Sequence, residues 1–401
     1  MTLAIHPSTA LQGATERLVS TVDVIIPVYN CADTVAGAVA SIQAQTVRDI
    51  RIIVINDGSS DATRQIVERL AAADDRLVLI NQENSGIVDA LNAGLAACTA
   101  DIVARHDGDD LALPDRFERQ LAYLRDNPDC VAVAGAIQQI DGAGRTIGPV
   151  LTFPSPDLAD PGSYPQREPY LMHPFLMVRR ASVEEVGGYR HVFHAEDTDL
   201  YWRLQETGKL SNMPDLLGSY RVHAQGITSS SLVNGRIAAL NSQLAGISAM
   251  RRRSGRPDIA FPKSAFAEYQ KARSLEAIIR LGGRELDSEE VERLTIAVCA
   301  KLLQTASYRA YEIDGEDCTF INATLSKELS KMAPLSRDDC IRMLSGTAAR
   351  LVSTGKLSVA RRLVPLRLYP LVAARLALRT VFPPMFRRLI RQAAGRSGYV
   401  K

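Results

Sequence analysis

An α/β fold with a mostly parallel sheet flanked by helices is predicted by three observations. Short β-branched runs alternate with helix-patterned stretches from Thr21 to Ala104, the signature of successive βαβ units. Each run closes on a polar turn. A knot of three carboxylates around one glycine, Asp107-Gly108-Asp109-Asp110, closes the fourth run. Open parallel sheets bind ligands at the carboxyl ends of their strands, so these turns converge on one site.

Thr21 to Asn30 reads as the first strand, rich in β-branched residues and ending at a Pro and an Asn that signal a turn. Thr34 to Ala44 has helical spacing, and Ile50 to Ile55 is a second strand ending in Asn56-Asp57-Gly58-Ser59-Ser60-Asp61. A helix over Ala62–Ala73 and a strand over Leu77–Ile80 follow. Asn84-Ser85-Gly86 then opens a loop into the helix bearing Asn92 and Gly94, and Ile102 to Ala104 is the fourth strand. Asp110 precedes Leu111 and Pro114, which read as a helix start running to Asp126.

Beyond it, Val131–Ala134, Ile137–Ile140 and Met172–Val178 read as strands. Between them Thr152 to Pro169, with five prolines, is expected as a loop over the site. His194-Ala-Glu196-Asp197-Thr198-Asp199 enters a helix, and Tyr220-Arg221-Val222-His223 is a short strand running into a small-residue turn up to Ser231. From Leu232 onward the pattern is helical, with N-terminal caps at Asp287 to Glu290 and Ser336 to Asp339. The expected domains are an extension at 1–20, an α/β domain at 21–235, a helical domain at 236–356 and a basic amphipathic tail at 357–401.

Composition narrows the function classes. At 401 residues, 46% apolar and 23% charged, the chain is an ordinary globular protein with room for more than one domain. The first residues lack a basic region followed by an apolar one, and no run of about 18 apolar residues occurs, so neither a signal peptide nor a spanning helix is expected. Six scattered cysteines without a C-x-x-C pair fit reduced thiols in a cytosol and argue against structural zinc. A G-x-G-x-x-G fingerprint and a P-loop are both missing, which disfavours dinucleotide and ATPase chemistry and leaves a phosphate ligand to be held through metal.

The Asp cluster supplies that metal's ligands. Each ionised carboxylate costs several kcal/mol to bury unless something positive meets it. Alternate carboxylates such as Asp107 and Asp109 suit Mg²⁺ or Mn²⁺, which keep positions for water and phosphate oxygens. Helix capping accounts for one of the three aspartates only.

The overall charge of +2 conceals an acidic body and a basic end. No Asp or Glu follows Asp339, and the thirteen Lys and Arg beyond it turn +2 into −11 for residues 1–339. In that end Leu363–Leu378 and Met385–Arg391 interleave Arg with apolar residues. Arg367, Arg375 and Arg379 fall within about 120° of helical arc. Such a segment fits an anionic membrane surface, although packing on the acidic body would also use it. No nucleic-acid module is recognised, so nucleic acid is not an expected partner.

The order of motifs resembles family 2 glycosyltransferases, inverting enzymes of the GT-A fold, over roughly residues 21–231. It runs Ile26-Pro27-Val28-Tyr29-Asn30, Val54 to Asp61, Asn84-Ser-Gly86 with Ala90 to Gly94, Asp107-Gly108-Asp109-Asp110, Gly187-Gly188-Tyr189, Glu196-Asp197 and Tyr220 to His223. The resemblance implies that Pro27 and Tyr29 flank a nucleotide base, and that Asp57 accepts a hydrogen bond from it, as for uracil. It puts Asp107 at the ribose and sugar, with Val28, Asn30, Asn84 and Gly108 in the same nucleotide-sugar-binding set. It further implies that Asp109 and His223 hold Mn²⁺ or Mg²⁺, and that Asp197, beside Glu196, is the catalytic base.

The implied activity moves one sugar from a nucleotide-sugar donor, UDP-linked, to a hydroxyl of a glycan or lipid-linked acceptor in cell-envelope or exopolysaccharide synthesis. The expected place is the cytoplasm, peripheral to the inner face of the membrane. The chain departs from the pattern at Cys31-Ala32, where many relatives have an acid, and at Leu91, where many have Arg. It also lacks the Gln-x-x-Arg-Trp of processive synthases. The rival readings are a non-catalytic nucleotide-sugar scaffold, which loss of Asp107, Asp109 or Asp197 would signal, and a nucleotidyltransferase, which would carry a basic Gly-rich loop after the first strand.

Overall fold

The computed structural model describes residues 20–223, 231–307, 309 and 311–381. The extension at 1–19, the small-residue turn at 224–230 and the end of the tail with Met385–Arg391 lie outside the described residues. Nine strands form one sheet among the described residues: β1 (Val22–Val28), β2 (Ile50–Asp57), β3 (Leu77–Gln82), β4 (Ile102–Arg105), β5 (Leu111–Ala112), β6 (Cys130–Ile140), β7 (Thr146–Leu151), β8 (Met177–Arg179) and β9 (Lys209–Arg221). Their order is β3-β2-β1-β4-β8-β6-β9-β5, with β7 on β6. The helices packed on them are α1 (Val35–Gln43), α2 (Thr63–Ala73), α3 (Ile87–Ala97), α4 (Arg116–Asp126), α5 (Arg180–Glu185) and α6 (Glu196–Leu204).

The first four strands are parallel, as expected, and the second half of the sheet is mixed. β8 runs antiparallel to β4 and β6, while β9 lies parallel to β6. Strand order reverses between β1 and β4, which opens a crevice at their carboxyl ends. β1 is buried at all seven positions because helices cover both faces, the usual state of a central parallel strand. Asp23, inside β1, is tolerated because it meets Arg51 at 2.7 Å and accepts the Thr99 and Ala100 N–H groups at 2.6 and 2.9 Å.

Helix α3 lies flush on the sheet at Gly94. A Cβ there would stand 2.6 Å from Ile25 Cγ2 and 2.9 Å from Ile55 Cδ1. Gly94→Leu is therefore expected to destabilise the fold by about 1–3 kcal/mol through overpacking, read as a fall in the urea midpoint. An unchanged midpoint would show that α3 tolerates being lifted.

Several local expectations are corrected by tertiary contacts. Leu111-Ala112 is a strand, drawn out of the helical pattern by pairing with β9, and α4 starts only at Arg116. Asp110 is therefore no helix cap. His173–Phe175 forms a 3-10 turn, with strand only at Met177–Arg179. The two runs Val131–Ala134 and Ile137–Ile140 are one strand, β6, whose register against β9 shifts around Gly135 and Ala136. β9 extends much further back than Tyr220, through Pro214 and Asp215, because a long partner rather than local propensity sustains it.

The helical unit comprises α7 (Leu232–Arg253), α8 (Ala265–Lys271), α9 (Leu275–Gly282), α10 (Ser288–Ala306), α11 (Gly315–Glu328), α12 (Pro334–Ser353), α13 (Leu357–Leu363) and α14 (Tyr369–Val381). Its core draws on residues from Ile237 to Val372, separate from the first core, Val22 to Leu217. That core takes in Ala360, Leu363, Val364 and Val372, residues the sequence had placed in the tail. Asp287 and Glu290 form the expected capping box, but α12 begins at Pro334, so Ser336 lies inside the helix. The proline-rich loop is tied to the helical unit: Tyr164 N–H donates to Ser336 Oγ at 3.2 Å, Gln166 N–H to Gln243 Oε1 at 3.0 Å, and Glu168 meets Lys301 at 2.7 Å. Trp202 of α6 is buried with Ala245 and Ala249 of α7. No helix among the described residues is long and apolar enough to cross a membrane.

Candidate active site

The turns after β1, β2 and β4 interlock. Tyr29 stands at the mouth, 52% exposed, while Pro27 and Val28 are buried within β1. Asn30 takes a left-handed conformation, with its N–H on Ser59 Oγ at 3.0 Å and its Oδ1 accepting the Ser60 N–H at 2.8 Å. Asp57 accepts from Gln82 Nε2 at 2.7 Å and from the Ser85 and Gly86 N–H groups at 2.9 Å each. In this structure its carboxylate clasps the loop that carries the exposed Asn84. Gly58, at φ +69°, has the Asn84 nitrogen 2.6 Å from where a Cβ would sit, so only glycine fits this turn.

The Asp cluster rests on β1 through Gly108. A Cβ at Gly108 would meet Val28 Cγ1 at 2.8 Å and Cys31 Sγ at 3.1 Å, and the Gly108 carbonyl accepts from Thr34 Oγ1 at 2.9 Å. Carboxylate oxygens of Asp107, Asp109 and Asp110 all lie within 4.8 Å of one another. Asp107 pairs with Arg105 at 2.6 Å, and Asp109 Oδ2 lies 2.7 Å from His223 Nε2. Arg221 makes that last contact possible: its N–H donates to Asp110 Oδ1 at 2.7 Å and its Nε to the Asp109 carbonyl at 2.8 Å. The end of β9 is thereby pinned to the cluster, two residues before His223.

This cluster fits a hard divalent cation. Burial raises the Asp110 carboxyl well above the ordinary range, with the Asp107 and Asp109 charges adding to it. Asp107 is raised too, by burial, against the opposing pull of Arg105. Asp110 Oδ2 is buried without a hydrogen-bond partner. A cation would supply the missing charge and a partner for that oxygen.

Glu196 and Asp197 open α6, where the helix dipole favours negative charge. Asp197 Oδ1 accepts the Thr198 N–H at 2.7 Å. Burial pushes the Glu196 carboxyl up to about 7, with the Asp197 charge adding to it, and burial raises Asp197 as well. The sign for stability follows from linkage: folding binds the Glu196 proton more tightly, so this contribution is full below the unfolded value of 4.5 and is lost as pH rises through about 7. Glu196→Gln is thus expected to gain thermal stability over the parent protein as pH rises from 5 to 8. A constant difference in Tm would contradict the burial argument.

Asp199, third of this acidic run, is structural. It is fully buried, pairs with Arg190 and meets Arg203 at 2.6 Å, and Arg203 in turn donates to the Val186 and Gly188 carbonyls at 2.7 Å each. The Gly-Gly-Tyr turn is held from the other side by Asn92, whose side chain exchanges two 2.9 Å hydrogen bonds with the Tyr189 backbone. Tyr189 OH lies 2.8 Å from His173 Nε2.

Sequence reading assigned no role to Arg105. It is 8% exposed, pairs with Asp107, and lowers the carboxyls of Glu196 and Asp197 by its charge. Its Nε and Nη1 have no hydrogen-bond partner. Arg105 therefore stands electrostatically between the Asp cluster and the Glu196-Asp197 pair. The available signal was a guanidinium at the end of an apolar strand, which requires a carboxylate partner.

Comparison with known proteins adds a lineage. The model of the family described as "Glycosyl transferase family 2" matches residues 23–187. The putative glycosyltransferase EpsE of Bacillus subtilis (strain 168) is 34% identical over 192 residues, 47% of this chain and 67% of that protein. The amylovoran biosynthesis glycosyltransferase AmsE of Erwinia amylovora is 29% identical over 202 residues, 49% of this chain and 75% of its own. Among solved structures, the mannosyltransferase PcManGT from Pyrobaculum calidifontis, in complex with GDP-Man and Mn²⁺, aligns over 86% of both chains at 18% identity and a TM-score of 0.47.

Proposed function

The chain belongs to glycosyl transferase family 2 and is a glycosyltransferase, and from that premise we propose that it transfers one sugar, with inversion, from a UDP-linked donor to a hydroxyl of a glycan or lipid-linked acceptor. The setting proposed is assembly of a cell-envelope or extracellular polysaccharide; the AmsE relative is named for amylovoran biosynthesis. The observation that carries the reading is the set of three carboxylates within 4.8 Å at the end of β4, with His223 brought onto Asp109.

In this reading Tyr29 and the Asp57-held loop frame the nucleotide, and Asp107 faces the sugar. Asp109 and His223 would hold Mn²⁺ or Mg²⁺, and the ion would supply positive charge to offset that of a departing diphosphate. Asp197 takes the proton of the attacking hydroxyl. Its raised affinity for a proton suits a general base, and the Thr198 N–H fixes one oxygen so that the other faces the acceptor. Arg105 steadies Asp107 and keeps the acidic pair from repelling it.

A panel of nucleotide sugars tests the reading, with Mn²⁺-dependent release of nucleoside diphosphate as readout. Asp109→Ala is expected to weaken Mn²⁺ binding by more than about tenfold, a ligand loss costing at least as much as loss of a ligand's supporting partner. Failure of every nucleotide sugar to bind in the presence of metal would overturn the transferase mechanism.

A further inference from the structure

The acid-free end of the chain builds a surface. α13, the 3-10 turn Leu366–Leu368 and α14 form an elbow whose inner side, Ala360, Leu363, Val364 and Val372, is buried in the second core. Leu357, Leu366 and Leu371 are exposed along the elbow, at 49%, 78% and 38%. Leu366 is the most exposed large apolar side chain among the described residues. Arg361, Arg362 and Arg367 lie exposed between these leucines, and none of the three is ion-paired among the described residues. The backbone beneath is held, since Asn322 Nδ2 donates to the Arg362 carbonyl at 3.0 Å.

A single exposed leucine needs no explanation. Three leucines interleaved with three unpaired arginines, in a stretch with no carboxylate after Asp339, are a different matter. The leucines gain by leaving water, and the guanidiniums gain by meeting phosphate. An anionic bilayer offers both at one depth, an acyl boundary beneath a layer of phosphates.

We propose that the α13–α14 elbow docks the protein on an anionic membrane, with Leu357, Leu366 and Leu371 entering the interface and Arg361, Arg362 and Arg367 on the lipid phosphates. The purpose of this docking, presentation of a lipid-linked acceptor, rests on the transferase reading; the docking itself does not.

The test floats the full chain with vesicles of phosphatidylcholine alone or mixed with phosphatidylglycerol. The expected result is binding to the anionic vesicles only, weakened by salt. Leu366→Glu with Leu371→Glu, and separately Arg361→Glu with Arg367→Glu, should each lower the partition coefficient by about tenfold or more, while Mn²⁺-dependent release of nucleotide from a soluble donor persists. Equal binding to both vesicle types overturns the proposal. So does anionic binding that survives both double substitutions, which would place it in residues 382–401. Substitutions that alter only self-association or RNA binding overturn it as well. Vesicle binding by a protein inert toward every nucleotide sugar would leave the docking in place and remove the transferase mechanism instead.

Discussion

Asp197→Asn is expected to lower kcat by about 10²- to 10⁴-fold, the usual contribution of a positioned general base, with little change in Mn²⁺ or donor affinity. The substitution keeps size and the oxygen that accepts the Thr198 N–H at 2.7 Å, and it removes the proton affinity of the carboxylate. It also removes a charge that raises its neighbour Glu196, so binding of an anionic donor has no reason to weaken. Measured kcat and donor Kd separate the two effects. A variant that retains near-parental kcat would take the base role from Asp197.

Asp199→Ala, two residues further on, should act on stability instead, by about 3–5 kcal/mol, because it strands buried partners of a charge network. Arg203, 4% exposed, would lose its carboxylate at 2.6 Å and Arg190 one of its two acidic partners. The Gly-Gly-Tyr turn that Arg203 holds through the Val186 and Gly188 carbonyls would loosen with it. The readout is the urea midpoint. Asp197→Asn should leave that midpoint nearly in place, and a similar fall in both variants would mean that the acidic run acts as one structural unit.

Residues that travel together in the sequence thus divide in space. Glu196 and Asp197 lie at the start of α6 near Arg105, while Asp199 faces Arg190 and Arg203. The carboxylates of Asp107 to Asp110 stay together, yet their partners differ: Asp107 meets Arg105, Asp109 meets His223 and Asp110 meets the Arg221 backbone. Spacing along the chain announced the cluster but not the partner of each member.

What the sequence determined by itself is local and periodic. The alternation of β-branched runs and helical stretches predicts the parallel half of the sheet, and the polar turns at strand ends predict where ligands gather. The Asp287 capping box is likewise complete within four residues. Only the tertiary structure decided what depends on partners distant in the chain. β5 and most of β9 exist because strands pair, whatever their own propensities. His223 reaches Asp109 across 114 positions because Arg221 pins β9. The expected tail becomes the elbow of a core because Ala360, Leu363 and Val372 find apolar neighbours. Burial and ion pairing are properties of the assembled neighbourhood, and no window of sequence contains them.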